Sequence, residues 1–208
     1  MKTNPPPLIL ASKSPRRKEL LEQAGLTFAV IPSCVNENGI DMKNPENLVK
    51  TLAVAKARDV GGAYPESWVI GADTIVLIHG EVLGKPDSIE TARQMMRQLN
   101  GQIHEVFTGY AIFCEATKTC ISGVERTEVH FRNLTQEEIE WYIQTDEPYD
   151  KAGGYAIQGL GSFLVKRIWG SYTNVVGLPV CEVLEHLYNN GIITVTHDNH
   201  WRIGSSIS

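Results

Sequence analysis

The chain has 208 residues, of which 42% are hydrophobic and 21% charged, an ordinary composition for a globular protein with a sizeable core. Its formal net charge is −5, so no global basic field attracts nucleic acid or an anionic membrane, and any anion site must be a local cluster. The four cysteines form no C-x-x-C pair, and no apolar run is long enough for a signal peptide or a membrane span. We therefore expect reduced thiols and a cytoplasmic protein.

Strand-like and helix-like segments alternate through the first part of the chain. Ser14-Pro15 supplies a cap and a first-turn proline for a helix that ends before Gly25. Asn44-Pro45-Glu46 opens a second helix, and the Val- and Ile-rich run from Trp68 to His79 is the strongest strand candidate. We predict strands at 8–12, 27–32 and 68–79, helices at 14–24 and 44–62, and a short strand that ends near residues 85–86.

The second part of the chain continues with two helices that open on capping boxes, Asp87-x-x-Glu90 and Thr135-x-x-Glu138. Between them, residues 103–115 and 119–132 alternate as in an antiparallel pair with one solvated face. Residues 147–161 are rich in glycine and resemble a functional loop. We predict helices over 87–100 and 135–143, a strand over 163–168 and a last helix over 179–190.

The alternation of strands and helices predicts an α/β fold on a mixed sheet. No linker is long enough to separate independent domains. We therefore expect one domain over residues 8–193, with an extension at 1–7 and a polar tail at 194–208 that lacks periodicity and is loosely ordered.

A first candidate site lies at the turn from the first strand into the first helix. Ser12, Ser14, Arg16 and Arg17 occur there, where hydroxyls, guanidinium groups and unpaired helix N–H groups can converge on a phosphate. The segment is not a Walker loop, because it lacks Gly-x-x-x-x-Gly-Lys. The alternative is that Ser14 only caps the helix and the arginines form a solvated face.

A second candidate is Asp73, a carboxylate within an otherwise apolar strand. Such a group must be paired, bind a metal or face a cleft, and Gly71 allows backbone or ligand to approach closely. The alternative is a buried aspartate satisfied by local hydrogen bonds. A second carboxylate nearby would suit a hard divalent ion shared with substrate phosphates.

Other polar residues carry less information when each is taken alone. Lys85 could return toward the same end of the sheet as Asp73, Lys56 could be a snorkelling helix lysine, and Glu37 lies in a loop after a strand. In the glycine-rich loop, Gln158 could read a base edge and Tyr155 could stack on it. The residues alone favour the alternative, a packed tyrosine beside an exposed amide.

Taken together, the motifs resemble the Maf family of nucleotide pyrophosphatases. The resemblance runs in order from about Leu8 to Gly191. It is carried by Ser14-Pro15-Arg16-Arg17, by Gly71-Ala72-Asp73-Thr74, by Gly84-Lys85-Pro86, by the loop from Asp150 to Gly159 and by the run from Asn174 to Pro179.

The resemblance implies a two-lobed single domain on an elongated mixed sheet, with flanking helices and a central cleft. It implies hydrolysis of a nucleoside triphosphate to the monophosphate and pyrophosphate, assisted by Mg²⁺, Mn²⁺ or Co²⁺. The form of the loop around Gln158 is similar to that of the subgroup that acts on dTTP and UTP. A homodimer is also implied. The net charge of −5, rather than the resemblance, leads us to expect no nucleic-acid or membrane partner.

The resemblance also implies a role for each matching residue. Asp73 matches the general base and a metal ligand, and Glu37 matches a second metal-linked position, although Asn36 departs from an often acidic neighbour. Phosphate-binding positions are matched by Ser12, Arg16, Arg17, Lys56 and Lys85, and substrate-determining positions by Arg16, Thr74 and Gln158.

Several other functions are compatible with parts of the pattern. A related pyrophosphatase could act on inosine or xanthosine triphosphates, and another Maf subgroup acts on 7-methyl-GTP. The chain could instead be a nucleotide-responsive regulator of septum formation, but binding without turnover would require neither Asp73 nor Glu37. The absence of a basic aromatic stripe makes a nucleic-acid binder the weakest alternative.

Overall fold

A computed structural model of the chain describes residues 7–36, 44–196 and 200–204. These residues divide into two compact units, the first formed by those described up to 73, by 109–124 and by those described from 177 on, the second by 74–108 and 125–176. In the described residues, no helix is both long and apolar enough to cross a membrane.

The α/β fold expected from the sequence is confirmed. The helices are Pro15–Gln23 (α1), Pro45–Ala63 (α2), Ile89–Leu99 (α3), Gln136–Ile143 (α4), Tyr172–Val176 (α5) and Val180–Asn189 (α6). The strands are Leu8–Leu10 (β1), Ala29–Val30 (β2), Trp68–Ile78 (β3), Glu81–Leu83 (β4), Ile103–Cys114 (β5), Thr119–Phe131 (β6), Val165–Trp169 (β7), Ile193–Val195 (β8) and Trp201–Ile203 (β9).

Strands β1 to β7 form one mixed sheet. The strand order is β2-β1-β3-β5-β6-β7, and β4 pairs with β3 off this path. Strand β1 runs parallel to both β2 and β3, whereas β4 is antiparallel to β3 and β7 to β6. The parallel neighbours β1 and β3 matter most for the site, because β1 ends level with Ile70 and the turn that follows it therefore lies beside the middle of β3.

In the first unit, helices cover both faces of the sheet. Phe113 of β5 contacts α2, where a Cβ at Gly61 would lie 2.7 Å from its ring. On the other face, the hydroxyl of Tyr110 is hydrogen bonded to His186 of α6 at 3.1 Å. The prediction of one solvated face is therefore wrong for β5, which is buried along most of its length.

The second unit has its own apolar core. Helices α3 and α4 pack together there, with Met96, Leu99, Ile139 and Tyr142 completely or almost completely buried. The predicted capping box at Thr135 is confirmed by reciprocal hydrogen bonds with Glu138. The capping box fixes the start of α4, and the glycine-rich loop follows the other end of the helix, beyond Ile143.

Two predicted helix caps differ from the structure. Ser14 precedes α1, but its side chain makes no capping hydrogen bond, and its backbone N–H donates to Ser12 Oγ at 3.1 Å. At α3 the cap is Ser88, which accepts from Thr91 N, because the helix starts one residue later than the Asp87 pattern implied. Asp87 accepts from the Thr91 hydroxyl, which lowers the pKa of its carboxyl.

The tail is more ordered than its composition suggested. Strands β8 and β9 pair as an antiparallel hairpin, and the indole N–H of Trp201 donates to the Ala24 carbonyl at 2.8 Å. The expectation of a loosely ordered tail is therefore wrong for 194–196 and 200–204. The short helix α5 is a further element that the sequence pattern did not indicate.

Candidate active site

Helix α2 crosses β3 at close range because β3 has a glycine at the crossing. A Cβ at Gly71 would overlap the Ala53 carbonyl oxygen and lie 2.8 Å from the backbone nitrogen of Ala57. The missing side chain lets the two backbones approach. As a result, Lys56, on the next turn of α2, reaches Asp73, two residues beyond the glycine.

Lys56 and Asp73 form a buried ion pair. The ammonium Nζ lies 2.6 Å from Oδ1 of the carboxylate, and the two side chains are only 10% and 11% exposed. The sequence left open whether Asp73 is paired, binds a metal, faces a cleft or is satisfied by local hydrogen bonds. The structure shows that it is paired with a lysine. Lys56 does not snorkel to the surface. Because a charge removed from water is costly unless it is paired, each of these residues depends on the other.

The turn from β1 into α1 lies beside this part of β3. Leu10 is in register with Ile70, and Ala11 N donates to Ile70 O at 2.8 Å, so Ser12 lies alongside the residue before Asp73. Arg17 reaches back from α1 and donates to Ser12 Oγ at 3.3 Å. The first unit thus gathers a serine, an arginine and the Lys56–Asp73 pair where β1 ends beside the middle of β3.

The guanidinium of Arg17 is also held from the other side. Its Nε donates to the carbonyl oxygen of Gly177 at 2.7 Å, which fixes the side chain over the first turn of the helix. Arg16, the other predicted phosphate ligand on this turn, is half-buried. Gly177 belongs to one of the motifs that carried the family resemblance, but its carbonyl contact with Arg17 was not foreseen.

Two carboxylates, Asp73 and Glu37, are the predicted metal ligands. Asp73 is placed as described, whereas Glu37 lies outside the described residues. Over the ranges 7–36, 44–196 and 200–204, no three His, Cys, Asp or Glu side chains are grouped as a metal site. The pairing of Glu37 with Asp73 around a divalent ion stays a prediction.

In the second unit, Thr74 is anchored by a chain of hydrogen bonds. Its hydroxyl lies 2.9 Å from that of Thr108, which in turn donates to the backbone carbonyl of Asn174 at 3.2 Å. Asn174 is completely buried, and its amide Nδ2 donates to Val106 O and Thr127 Oγ1. Thr74, a predicted specificity residue, therefore rests on a fixed support.

Two further predicted motifs of the second unit are joined to each other. Gly153 N donates to the carbonyl of Gly84 at 2.9 Å, so the glycine-rich loop supports the segment that carries Lys85. Gly153 has a φ of 71°, a left-handed conformation that suits glycine. Lys85 itself is exposed.

Gln158 and Tyr155, both in the glycine-rich loop, have different environments. Gln158 is half-buried, while Tyr155 is buried with its hydroxyl hydrogen bonded to His104 Nε2 at 2.7 Å and its ring against Phe131. Burial raises the pKa of the Tyr155 hydroxyl, and the residue belongs to the core. The suggestion that Tyr155 stacks on a base is wrong, and the alternative of a packed tyrosine is confirmed.

Comparison with known proteins adds to this geometry. The family model described as "Maf-like protein" matches residues 7–190. The chain belongs to the Maf family. This confirms the resemblance on which the site prediction rested.

Several relatives of this Maf chain carry the same name, "dTTP/UTP pyrophosphatase". One from Syntrophus aciditrophicus (strain SB) is 45% identical over 195 residues, which cover 94% of this chain and 95% of the relative. One from Halalkalibacterium halodurans is 48% identical over 90% of this chain and 98% of its own length. One from Pyrococcus furiosus is 48% identical over 86% of this chain and 92% of its own length.

Sequence reasoning missed one acidic residue of this Maf chain. Glu147 lies in the predicted functional loop, yet only Tyr155 and Gln158 were singled out there. Its carboxylate accepts hydrogen bonds from backbone N–H groups 13 and 14 residues further along the chain. No periodic pattern marks such contacts in irregular backbone.

Proposed function

We propose that this chain hydrolyses dTTP and UTP to the nucleoside monophosphate and pyrophosphate. The buried Lys56–Asp73 pair is the observation that carries the proposal, because it places a carboxylate beside the basic first turn of α1. The relatives named dTTP/UTP pyrophosphatase, 45% and 48% identical over most of the chain, support the substrate class.

The chemistry requires positioning and charge neutralisation rather than a covalent intermediate. Arg16, Arg17 and Lys56, with the Ser12 hydroxyl, supply donors and positive charge for phosphate oxygens of the substrate. The N–H groups at the start of α1 add to this field. Asp73 accepts a proton from the attacking water, and Lys56, 2.6 Å from Oδ1, fixes the orientation of the carboxylate.

A divalent cation fits this donor set. Mg²⁺ is commonly bound through one or two protein carboxylates together with substrate phosphates and water, and Asp73 offers a carboxylate at the basic turn. Asp73 would hold the ion, with Glu37 as the second proposed ligand. When bound, the ion would neutralise phosphate charge and lower the pKa of a coordinated water.

Base selection is proposed for Thr74, Gln158 and Arg16. Thymine and uracil share an acceptor at O4 and a donor at N3, and a side-chain amide offers one donor side and one acceptor side. A glutamine that is held in one orientation can therefore distinguish these bases from cytosine, where the polarity is reversed. Lys85, on the segment supported by the loop, is proposed as a further phosphate ligand.

The proposal is tested by product analysis with a panel of nucleoside triphosphates in the presence of Mg²⁺, Mn²⁺ or Co²⁺. We expect monophosphate and pyrophosphate in equal amounts from dTTP and UTP, with slower turnover of CTP, ATP and GTP. Release of orthophosphate in place of pyrophosphate would contradict the reaction type. Preference for inosine, xanthosine or 7-methylguanosine triphosphate would keep the reaction and overturn the substrate assignment.

We also propose that the protein forms a homodimer, as the family resemblance implied, and that it acts in the cytoplasm, as expected from the sequence. Light scattering coupled to size-exclusion chromatography tests the first point. A mass near 23.1 kDa would indicate a monomer, and about twice that value the proposed dimer.

A further inference from the structure

The carboxylate of Glu147 accepts hydrogen bonds from two backbone N–H groups of the glycine-rich loop. Glu147 Oε1 accepts from Gly161 N at 2.7 Å, and Oε2 accepts from Leu160 N at 3.0 Å. The loop passes so close to this side chain that a Cβ at Gly159 would overlap Oε2. Gly159 has a φ of 62°, so the conformation as well as the space requires glycine.

A buried tyrosine extends the same contact to the other side of the loop. The Tyr142 hydroxyl donates to Glu147 Oε1 at 3.0 Å and accepts from Ala156 N at 3.1 Å. Tyr142 is completely buried in the core of the second unit. A tyrosine hydroxyl is protonated at neutral pH, and burial together with the neighbouring Glu147 raises the pKa of this one further.

These contacts bracket Gln158. Ala156, two residues before it, is held by Tyr142, and Leu160, two residues after it, is held by Glu147. The backbone of Glu147 is itself anchored, since Lys151 Nζ donates to its carbonyl at 2.6 Å. The backbone on both sides of Gln158 is thus held by hydrogen bonds to the Glu147–Tyr142 pair.

We propose that Glu147 is a positioning residue for base recognition, which acts by fixing the backbone on both sides of Gln158. The inference rests on the proposed function, in which Gln158 reads thymine or uracil. Base discrimination requires that the Gln158 amide lie at a fixed position against the base edge, so movement of the backbone beneath it would weaken recognition. Glu147 supplies that constraint without touching the substrate.

The substitution Glu147→Gln tests the proposal with the smallest change in shape. The amide keeps one acceptor oxygen but turns an NH₂ group toward one of the two backbone N–H groups, which can no longer donate. We expect KM for dTTP and UTP to rise about tenfold, with kcat within about threefold of wild type. The preference for dTTP over dCTP should fall by a similar factor.

Two controls separate positioning from general damage. Inorganic triphosphate, which lacks a base, should inhibit wild type and Glu147→Gln with the same inhibition constant. Glu137→Gln makes the same chemical change at an exposed position on α4 and should leave KM unchanged. If Glu147→Gln does not fold, Tyr142→Phe removes only the bridging hydroxyl and should raise KM in the same direction.

An unchanged KM and base preference in a folded Glu147→Gln or Tyr142→Phe variant would overturn the role of Glu147. An equal loss of binding to inorganic triphosphate would also overturn it, because the effect would then not concern the base. A wild-type protein that turns over neither dTTP nor UTP would instead refute the proposed function, and this inference with it.

Discussion

Replacing Lys56 with methionine is the sharpest test of the buried ion pair. The substitution Lys56→Met keeps a long unbranched side chain in α2 but removes the ammonium 2.6 Å from Asp73 Oδ1. Because both side chains are about a tenth exposed, little water can replace the lost partner. Leaving one charge of a buried pair uncompensated costs about 3–5 kcal/mol of unfolding free energy.

The double variant Lys56→Met/Asp73→Asn removes both charges and should recover much of that loss. Buried ion pairs can often be replaced by neutral groups at little cost, so we expect a coupling energy of about 2–3 kcal/mol between the two positions. Urea denaturation followed by circular dichroism measures all four corners of this cycle.

Lys50→Met is the matched control, because Lys50 is exposed on the same helix. It should change stability by less than about 0.5 kcal/mol. A loss below about 1 kcal/mol in Lys56→Met, or a coupling energy near zero, would refute the claim that the two charges depend on each other.

Two further predictions concern packing and pH. Gly71→Ala should destabilise the protein by about 1–3 kcal/mol and lower turnover, because its Cβ would overlap the Ala53 carbonyl oxygen. Gly62→Ala is the control, since a Cβ at this position would meet no atom within 4 Å, and it should be neutral or stabilising. Urea denaturation measures both. Burial, with a smaller contribution from the charge of a second histidine, lowers the pKa of His104 from 6.5 to about 3. As the pH falls, the His104 imidazole takes up a proton in the unfolded chain near pH 6.5 but in the folded chain only near pH 3. The free energy of unfolding therefore falls below pH 6.5, by about 2 kcal/mol at pH 5. His104→Gln should remove that part of the pH dependence, and an unchanged slope would contradict it.

Local signals in the sequence were enough to predict most elements of the fold. The capping box at Thr135, the stop at Gly25 and the long strand from Trp68 were all found, because each depends on neighbouring residues. Where two local signals compete, as Asp87 and Ser88 do before α3, the pattern alone did not decide which residue caps the helix. The hairpin of the tail was missed because its strands are only three residues long.

The residues of the candidate site could be predicted from the sequence, but the contacts between them could not. An aspartate in an apolar strand must have a partner, yet nothing local identifies that partner as Lys56, which is 17 residues away. The contact depends on the close crossing of α2 and β3 at Gly71, a property of packing rather than of periodicity. Glu147 was missed for a related reason, since its partners lie in irregular backbone.

The role of Asp73 is tested most directly by comparing catalysis and binding in Asp73→Asn. For this variant we expect kcat for dTTP to fall by about 10²–10⁴, the usual contribution of a general base. The Kd of a non-hydrolysable α,β-methylene analogue of dTTP should stay within about tenfold. Glu66→Gln, which makes the same carboxylate-to-amide change at an exposed position of the same unit, is the matched control and should retain full activity. A folded Asp73→Asn protein with kcat close to wild type would contradict the account.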